Sequence, residues 1–470
     1  LEISDNNEYK IGLSKVQNAI TTSYQINLIL EMFSCPSMKK RTFAKKYLLN
    51  RYLDIRSYLQ GVGYTFRALE SRNFRLFFFG GMVSLLGTWI QNLAIGWMVY
   101  RLTDSAFYLG LVGFAGQIPA LFLGPLAGVF ADRMNRRNVL IITAIIPMIL
   151  AAILTVLTYT NTITVHYLII IVIFNGIALA FDTPFRHAFL LDMIGDKKLL
   201  SNAVALNSTL VNTARFIGPT LGGLLIAAFG EQVCFMINSI SFLGVIIALM
   251  SMKIEKIERK ISGNTILTEL REGFAYTYHY KPALYMILLV TVTSTFGLPF
   301  QSLLPVVARD ILHGGSQLLG FLTGAVGAGA LTGAFFLASR SSFKGIPKII
   351  AVSAITFGIG LILFSFSKIM ILSVIILYFS GFGMIAQFTA TNTLLQHSVE
   401  DDKKGRVLSL YSMSFMGFTP IGSLLLGSLS AQIGVPLTLS ISGVICLVSA
   451  LLFSRKLPFI YQDLNKHKRI

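Results

Sequence analysis

A guanidinium deep inside an apolar run must either bond something or bind something. Arg215 is such a group. It lies within the run 203–229, and at about 1.5 Å per helical residue it sits roughly 18 Å from Ala203. Charge in an apolar medium is costly, which leaves two readings: contact with an anion on a ligand or with a coupling acid, or a structural cation bonded to helix-end carbonyls or a neighbouring helix. Asp182 is the acid inside a second run, 165–185, near one end of it. Arg136 is its expected partner in a latch. Arg186, four residues on, is a local partner, and proton carriage is the third reading. Gln91 and Gln301 are neutral amides that bond either a ligand or a facing helix, with Gln117 and Gln387 as weaker candidates. Trp89 offers a ring for stacking on an aromatic or macrocyclic ligand, whereas Trp97 suits an interface anchor.

Other chemistry is not supported. The sequence holds no phosphate-binding glycine loop and no Gly-x-Ser-x-Gly elbow on a plausible soluble domain. His166, His187, His279, His313, His397 and His467 lack metal-ligand spacing, and Cys35, Cys234 and Cys446 are too scattered for a disulfide framework or a metal. No enzymatic centre, metal or cofactor is expected.

The elements that must position these residues follow from composition. Of 470 residues, 54% are hydrophobic and 13% charged, and mean hydropathy is +0.70. Such a chain cannot cover itself with polar groups, so lipid forms part of its solvent. A soluble enzyme, a disordered protein and a nucleic-acid-binding domain are excluded. Twelve runs are long enough to cross a bilayer as helices: 74–100, 107–130, 138–159, 165–185, 203–229, 232–252, 284–308, 317–339, 346–366, 370–395, 407–431 and 433–454. The apolar patch at 26–33 is too short for one and lacks a cleavage site. Net charge is +18, from 39 Lys and Arg against 21 Asp and Glu. Nearly all the cations fall on one side of the runs. The other side carries Arg101, Arg309 and Lys368. The positive-inside rule then places both termini in the cytoplasm.

Five segments are expected. These are a basic tail at 1–73, a six-helix bundle at 74–252, a linker at 253–283, a second bundle at 284–456 and a tail at 457–470. The bundles look duplicated. Gly87, Gln91 and Gly110 match Gly297, Gln301 and Gly320 at one constant offset, and Asp196-Lys197-Lys198 matches Asp402-Lys403-Lys404 at a slightly shorter one. Parallel repeats of this kind hold a ligand near the bilayer midplane between them.

Two motifs carry mechanism. Gly128-Val-Phe-Ala-Asp132-Arg133-Met-Asn-Arg136-Arg137 fills the loop after the second run. There Gly128 allows close helix approach, Asp132 suits a helix N-terminus, and Arg136 suits an acid on a neighbouring helix. Gly218-Pro219-Thr-Leu-Gly222-Gly223 lies in the fifth run, where the proline removes one helical bond and the glycines admit a facing helix. The first motif resembles the loop signature of the major facilitator superfamily, with Asn135 where a glycine is usual. Asp132 aligns with Ser342 in the second half, so the latch is kept once. The second motif resembles an exporter signature of the same superfamily. With Phe66-Arg67-Ala68-Leu69, Gly87-Thr-Trp89-Ile-Gln91-Asn92, Leu102-Thr103-Asp104-Ser105, Phe181-Asp182-Thr-Pro184-Phe-Arg186, Asn202-Ala203-Val-Ala-Leu-Asn207-Ser208 and Ala214-Arg215, the stretch 66–456 is similar to the enterobactin-exporter and macrolide-efflux branch.

The resemblance implies an all-α membrane fold of two six-helix bundles. It also implies secondary active efflux of a siderophore or drug-like amphiphile, with protons as a candidate coupling ion. Ligand contacts would fall to Arg215, Gln91, Gln301, Trp89, Gln117 and Gln387. Gating would fall to Gly128, Asp132, Arg133, Arg136, Asp182, Arg186, Gly218, Pro219, Gly222 and Gly223. The expected partners are a small molecule and membrane lipid, not nucleic acid. Import of a siderophore or nutrient uses the same scaffold, and a non-transporting sensor or lipid-handling protein is the alternative of another class.

Overall fold

Backbone amides in hydrocarbon must bond within their own segment, so these apolar runs form helices. The computed structural model describes residues 67–194, 199–252, 266–340, 343 and 345–466. The tail expected at 1–73 lies almost wholly outside the described residues, as do Asp196-Lys197-Lys198 and Ser342. Among the described residues, twelve helices are long and apolar enough to cross a membrane. They are α1 (Arg72–Thr103), α2 (Ala106–Arg133), α3 (Arg136–Tyr159), α4 (Val165–Ile194), α5 (Leu200–Phe229) and α6 (Glu231–Ser251). The second six are α7 (Lys281–Ile311), α8 (Ser316–Ala338), α9 (Ile346–Phe366), α10 (Met370–Ser398), α11 (Lys404–Ile433) and α12 (Val435–Arg455). Shorter helices at Ile266–His279 and Leu457–Lys466 flank the second six, and Glu272 of the former meets Arg406 of α11 at 2.5 Å.

The duplication expected from sequence is visible in the packing. The α5–α6 and α11–α12 turns are made by Gly230 and Gly434, both at φ 82°, a conformation that a side chain would strain. Between the halves, two pairs of helices cross as repeat-related partners. On α2 and α11, a Cβ added to Gly110 would lie 2.4 Å from the Ser423 carbonyl oxygen and 2.8 Å from Gly427 Cα. On α5 and α8, one added to Gly223 would lie 2.5 Å from the Ser316 carbonyl oxygen and 2.8 Å from Gly320 Cα. Helix packing in lipid relies on such close approach, because there is no hydrophobic gain in burying one apolar face against another.

Helix α7 is irregular. A π-helical turn at Thr293–Gly297 leads into a 3-10 stretch at Leu298–Leu303 containing Pro299, and a second π turn closes it at Val307–Ile311. Helix α11 carries a π turn at Met413–Gly417, just before Pro420. Irregular backbone at membrane depth is tolerated where protein or a cavity surrounds it, and it concentrates at functional places.

Candidate substrate site and closure

The halves are joined at the end where α1 meets α2. Asp104 caps α1 in the left-handed conformation and pairs with Arg309 of α7 at 2.6 Å. Arg309 also lies over the Tyr100 ring at 5.6 Å, and the Tyr100 hydroxyl donates to Asp310. The Ser316 hydroxyl donates to the Gly223 carbonyl at 3.1 Å. Beneath this clasp are the two glycine crossings. Contact between α2 and α11 continues to Leu121, which fills the space a Cβ on Gly417 would take. Farther along α2, no described residue of another helix comes within 4 Å of such a position on Gly124 or Gly128, and Phe122 is 69% exposed. The two halves therefore close together from the Asp104 end to about mid-membrane, while α2 stands clear of α11 toward the Arg133 end. A polar cavity of about 670 Å³ lies at the closed end, lined by Trp97, Arg101, Thr158, Glu231 and Gln317 among others. Arg101 and Glu231 pair across it at 2.8 Å.

Arg215 falls at the middle of α5, facing α1. Its guanidinium carbon lies 5.2 Å from the centre of the Trp89 ring, and its buried Nε has no hydrogen-bond partner. Gly218 makes this close approach possible, since a Cβ there would lie 2.5 Å from Trp89 Cβ. Gly222 likewise seats α5 on Ile90 and Leu93, and the Pro219 carbonyl backs against Gly320. The exporter-type motif therefore faces α1 with one side and α8 with the other.

The glutamines part company. Gln91 is 4% exposed, and its amide oxygen accepts from Asn238 of α6 at 2.8 Å. Gln301 is half-buried on the 3-10 stretch of α7, with its amide nitrogen 3.8 Å from Met384 Sδ. Repeat-related positions thus occupy different environments, because α6 presents an amide to Gln91. Gln387 is buried on α10, donating to Thr293 Oγ1 at 2.9 Å while its own Oε1 has no partner. Gln117 is exposed, one turn beyond Gly113, and donates to the Gly113 carbonyl at 3.3 Å. Replacing Gln91 by Leu should cost about 0.6–2 kcal/mol by stranding Asn238, and Gln91→Leu with Asn238→Leu should recover most of it. Thermal unfolding in detergent reads both.

The expected pairing of Asp182 with Arg136 does not form. Asp182 is held by Arg186 through two bonds of 2.8 and 3.0 Å and by the Thr143 hydroxyl at 3.3 Å. The reason is local: Arg186 stands one turn along the same helix. Arg136 pairs instead with Asp192, also on α4, its Nη1 3.2 Å from both carboxylate oxygens and 2.8 Å from the Ala188 carbonyl. Its Nε donates to the Ala131 carbonyl at 2.9 Å, so the end of α2, the start of α3 and α4 are tied at one point. Arg133 is exposed at the end of α2, and the Asp132 side chain lies outside the described residues. Gly128 is expected from sequence to permit close helix approach, but among the described residues none occurs there in this state. In the α10–α11 loop, Lys404 bonds Asp401 and holds its carboxyl below the usual range, on an exposed surface where such a pair adds little. Among the described residues, no group of three His, Cys, Asp or Glu is placed to hold a metal ion.

Sequence reading did not single out Asn238, Asp192, Tyr100, Asp310 or Gly427. A signal existed for the last, since Gly422 and Gly427 are spaced as Gly218 and Gly223 are.

Two six-helix bundles closed at one end give the major facilitator fold, and the family and relatives that the chain matches make it a membrane transporter, not an enzyme. The chain belongs to the transmembrane secretion effector family, whose profile matches residues 64–469, within the siderophore and macrolide efflux branch of that superfamily. It is 30% identical over 397 residues to the staphyloferrin A transporter of Staphylococcus aureus, covering 83% of this chain and 98% of that one. Macrolide efflux protein A of Streptococcus pyogenes is 23% identical, with 78% and 92% covered. The multidrug efflux pump Tap of Mycolicibacterium fortuitum is 24% identical, with 77% and 90% covered. Among solved structures, the nucleoside transporter NupG superposes with a TM-score of 0.65 at 15% identity, covering 83% of this chain and all of that one. The xylose transporter XylE from E. coli gives 0.61 at 14% identity, with 82% and 96% covered.

Proposed function

We propose that the protein is a secondary exporter of the bacterial inner membrane that moves a siderophore or drug-like amphiphile outward by alternating access. The observation that carries this reading is the asymmetric closure: joined at the Asp104 end, open toward the Arg133 end. With both termini cytoplasmic, as the distribution of Lys and Arg favours, the clasp seals the outside and cargo loads from the cytoplasm. The bodies that rock are 74–252 and 284–456, linked by 253–283. The clasp must break, and α5–α8 and α2–α11 must part, for release.

Trp89, Gln117 and Gln301 face cargo in this reading, while Gln91 and Gln387 hold their helices together. Gly218, Pro219, Gly222 and Gly223 form the packed hinge surface. Arg133, Arg136 and the Asp182–Arg186 pair belong to the cytoplasmic gate with Gly128 and Asp132. Protons are the candidate coupling ion, and Asp182, one of the acids toward the open end, is the one that would exchange a proton. The names of the siderophore, macrolide and multidrug relatives support the cargo class, and the macrolide and multidrug efflux names support the outward direction.

Bridging Asp104→Cys to Arg309→Cys with a short bifunctional thiol reagent, in a background lacking native cysteines, should cut cargo flux in proteoliposomes to under about a tenth, with recovery on reduction. Undiminished flux through the bridged protein would contradict alternating access. Accumulation in energised everted vesicles, and not in right-side-out ones, tests the outward direction.

A further inference from the structure

We propose that Arg215 anchors an anionic group of the cargo, so that the protein prefers a carboxylate-bearing molecule over a cationic amphiphile. This rests on the transporter reading above and narrows its substrate class. The argument begins with charge pairing. Of the described acids within the crossing helices, Asp182 is held by Arg186, Asp192 by Arg136 and Glu231 by Arg101, while Asp310 takes the Tyr100 hydroxyl. Arg215 has none of them, and its guanidinium lies over the indole ring of Trp89 with its buried Nε unpartnered.

That contact matters for geometry. A ring face beside a guanidinium steadies the cation without accepting a conventional hydrogen bond from it, so its N–H donors stay available. Those donors form the planar fork that matches a carboxylate. Ser208, Asn212 and Arg215 share one face of α5, where Ser208 is exposed and Asn212 and Arg215 are half-buried. Asn212 spends its amide on the Ser208 carbonyl at 2.9 Å, so a polar stripe without acids leads from the open end to the guanidinium. An anion entering there gains a desolvated, pre-oriented cation, whereas a cationic drug meets repulsion.

Trp89 supplies the reporter, because the chain has two tryptophans and Trp97→Phe leaves Trp89 alone. The full chain with that change, in nanodiscs, is titrated with citrate as a small polycarboxylate and with erythromycin as a cationic macrolide. Citrate should shift Trp89 emission saturably. Arg215→Gln should weaken that response by about tenfold or more, and Arg215→Lys should fall between, since a lysine keeps charge without the fork. Absence of a citrate response in the Arg215 protein, an unchanged response in Arg215→Gln, or a stronger erythromycin response that requires Arg215 would each overturn the proposal. Flux separates this from the broader reading. If Arg215→Gln still carries erythromycin down a gradient, the transporter stands and the fate of the anion anchor is read from the citrate titration alone. If no solute moves through any version while citrate binds, the transporter reading is what fails.

Discussion

Gly223→Leu is expected to reduce cargo flux to under about a tenth while leaving the protein inserted and folded. A side chain at this position meets backbone, the Ser316 carbonyl oxygen at 2.5 Å and Gly320 Cα at 2.8 Å, and backbone cannot swing aside as a flexible side chain can. Overpacking of this kind costs about 1–3 kcal/mol. That cost falls only on the state in which α5 and α8 touch. A penalty of about 1.4 kcal/mol moves a two-state equilibrium tenfold, so the larger end of the range would all but empty the closed state. Ser302 tests the mechanism, since its hydroxyl sits 3.4 Å from the Cβ position of Gly113 under the same closure. Maleimide labelling of Ser302→Cys should therefore speed up when Gly223→Leu is added. Gly427→Leu, at the repeat-related crossing, should behave alike, and Gly124→Leu, with open space beside it, should not accelerate labelling. Normal flux through Gly223→Leu would remove the glycine crossing from the mechanism.

The second large effect is expected at Arg136. Its side chain is 10% exposed and that of Asp192 8%, so the pair is desolvated. Removing one partner from a buried pair typically costs about 3–5 kcal/mol, because the remaining charge is stranded. Arg136→Gln should therefore lower the thermal midpoint sharply. Arg136→Met combined with Asp192→Leu should restore much of that stability, since apolar replacement of a whole buried pair is often neutral or better. It should not restore flux, if the tie among α2, α3 and α4 must loosen and reform during the cycle. Full transport by the doubly substituted protein would reduce the pair to packing.

Much of this was legible in the sequence, for reasons of scale. Twelve apolar runs announce themselves because lipid allows few alternatives to a helix, and the loop and exporter-type motifs are contiguous, so spacing alone carries them. The internal repeat was visible in Gly110 and Gly320, whose structural counterparts Gly427 and Gly223 complete the two crossings. What could not be read was which helix faces which side chain. Gln91 and Gln301 share a spacing, but only α6 brings an amide, from Asn238, against the first. Arg136 had two acids within reach along α4, and the nearer candidate by sequence, Asp182, was already satisfied by Arg186. The Asp104–Arg309 clasp joins residues whose proximity depends on the two bundles meeting at one end. Arg215 was conspicuous from the start, but its place over the Trp89 ring and its lack of a counter-charge among the described residues needed coordinates.

Distances between spin labels at the two ends of the molecule test the central idea most directly. One pair, at Ser105 and His313, straddles the closed end, and another, at Met134 and Gly405, straddles the open one. With cargo and a gradient present, a second population should appear in which the first distance lengthens and the second shortens together. Distributions that stay fixed at both ends while cargo crosses the bilayer would contradict alternating access.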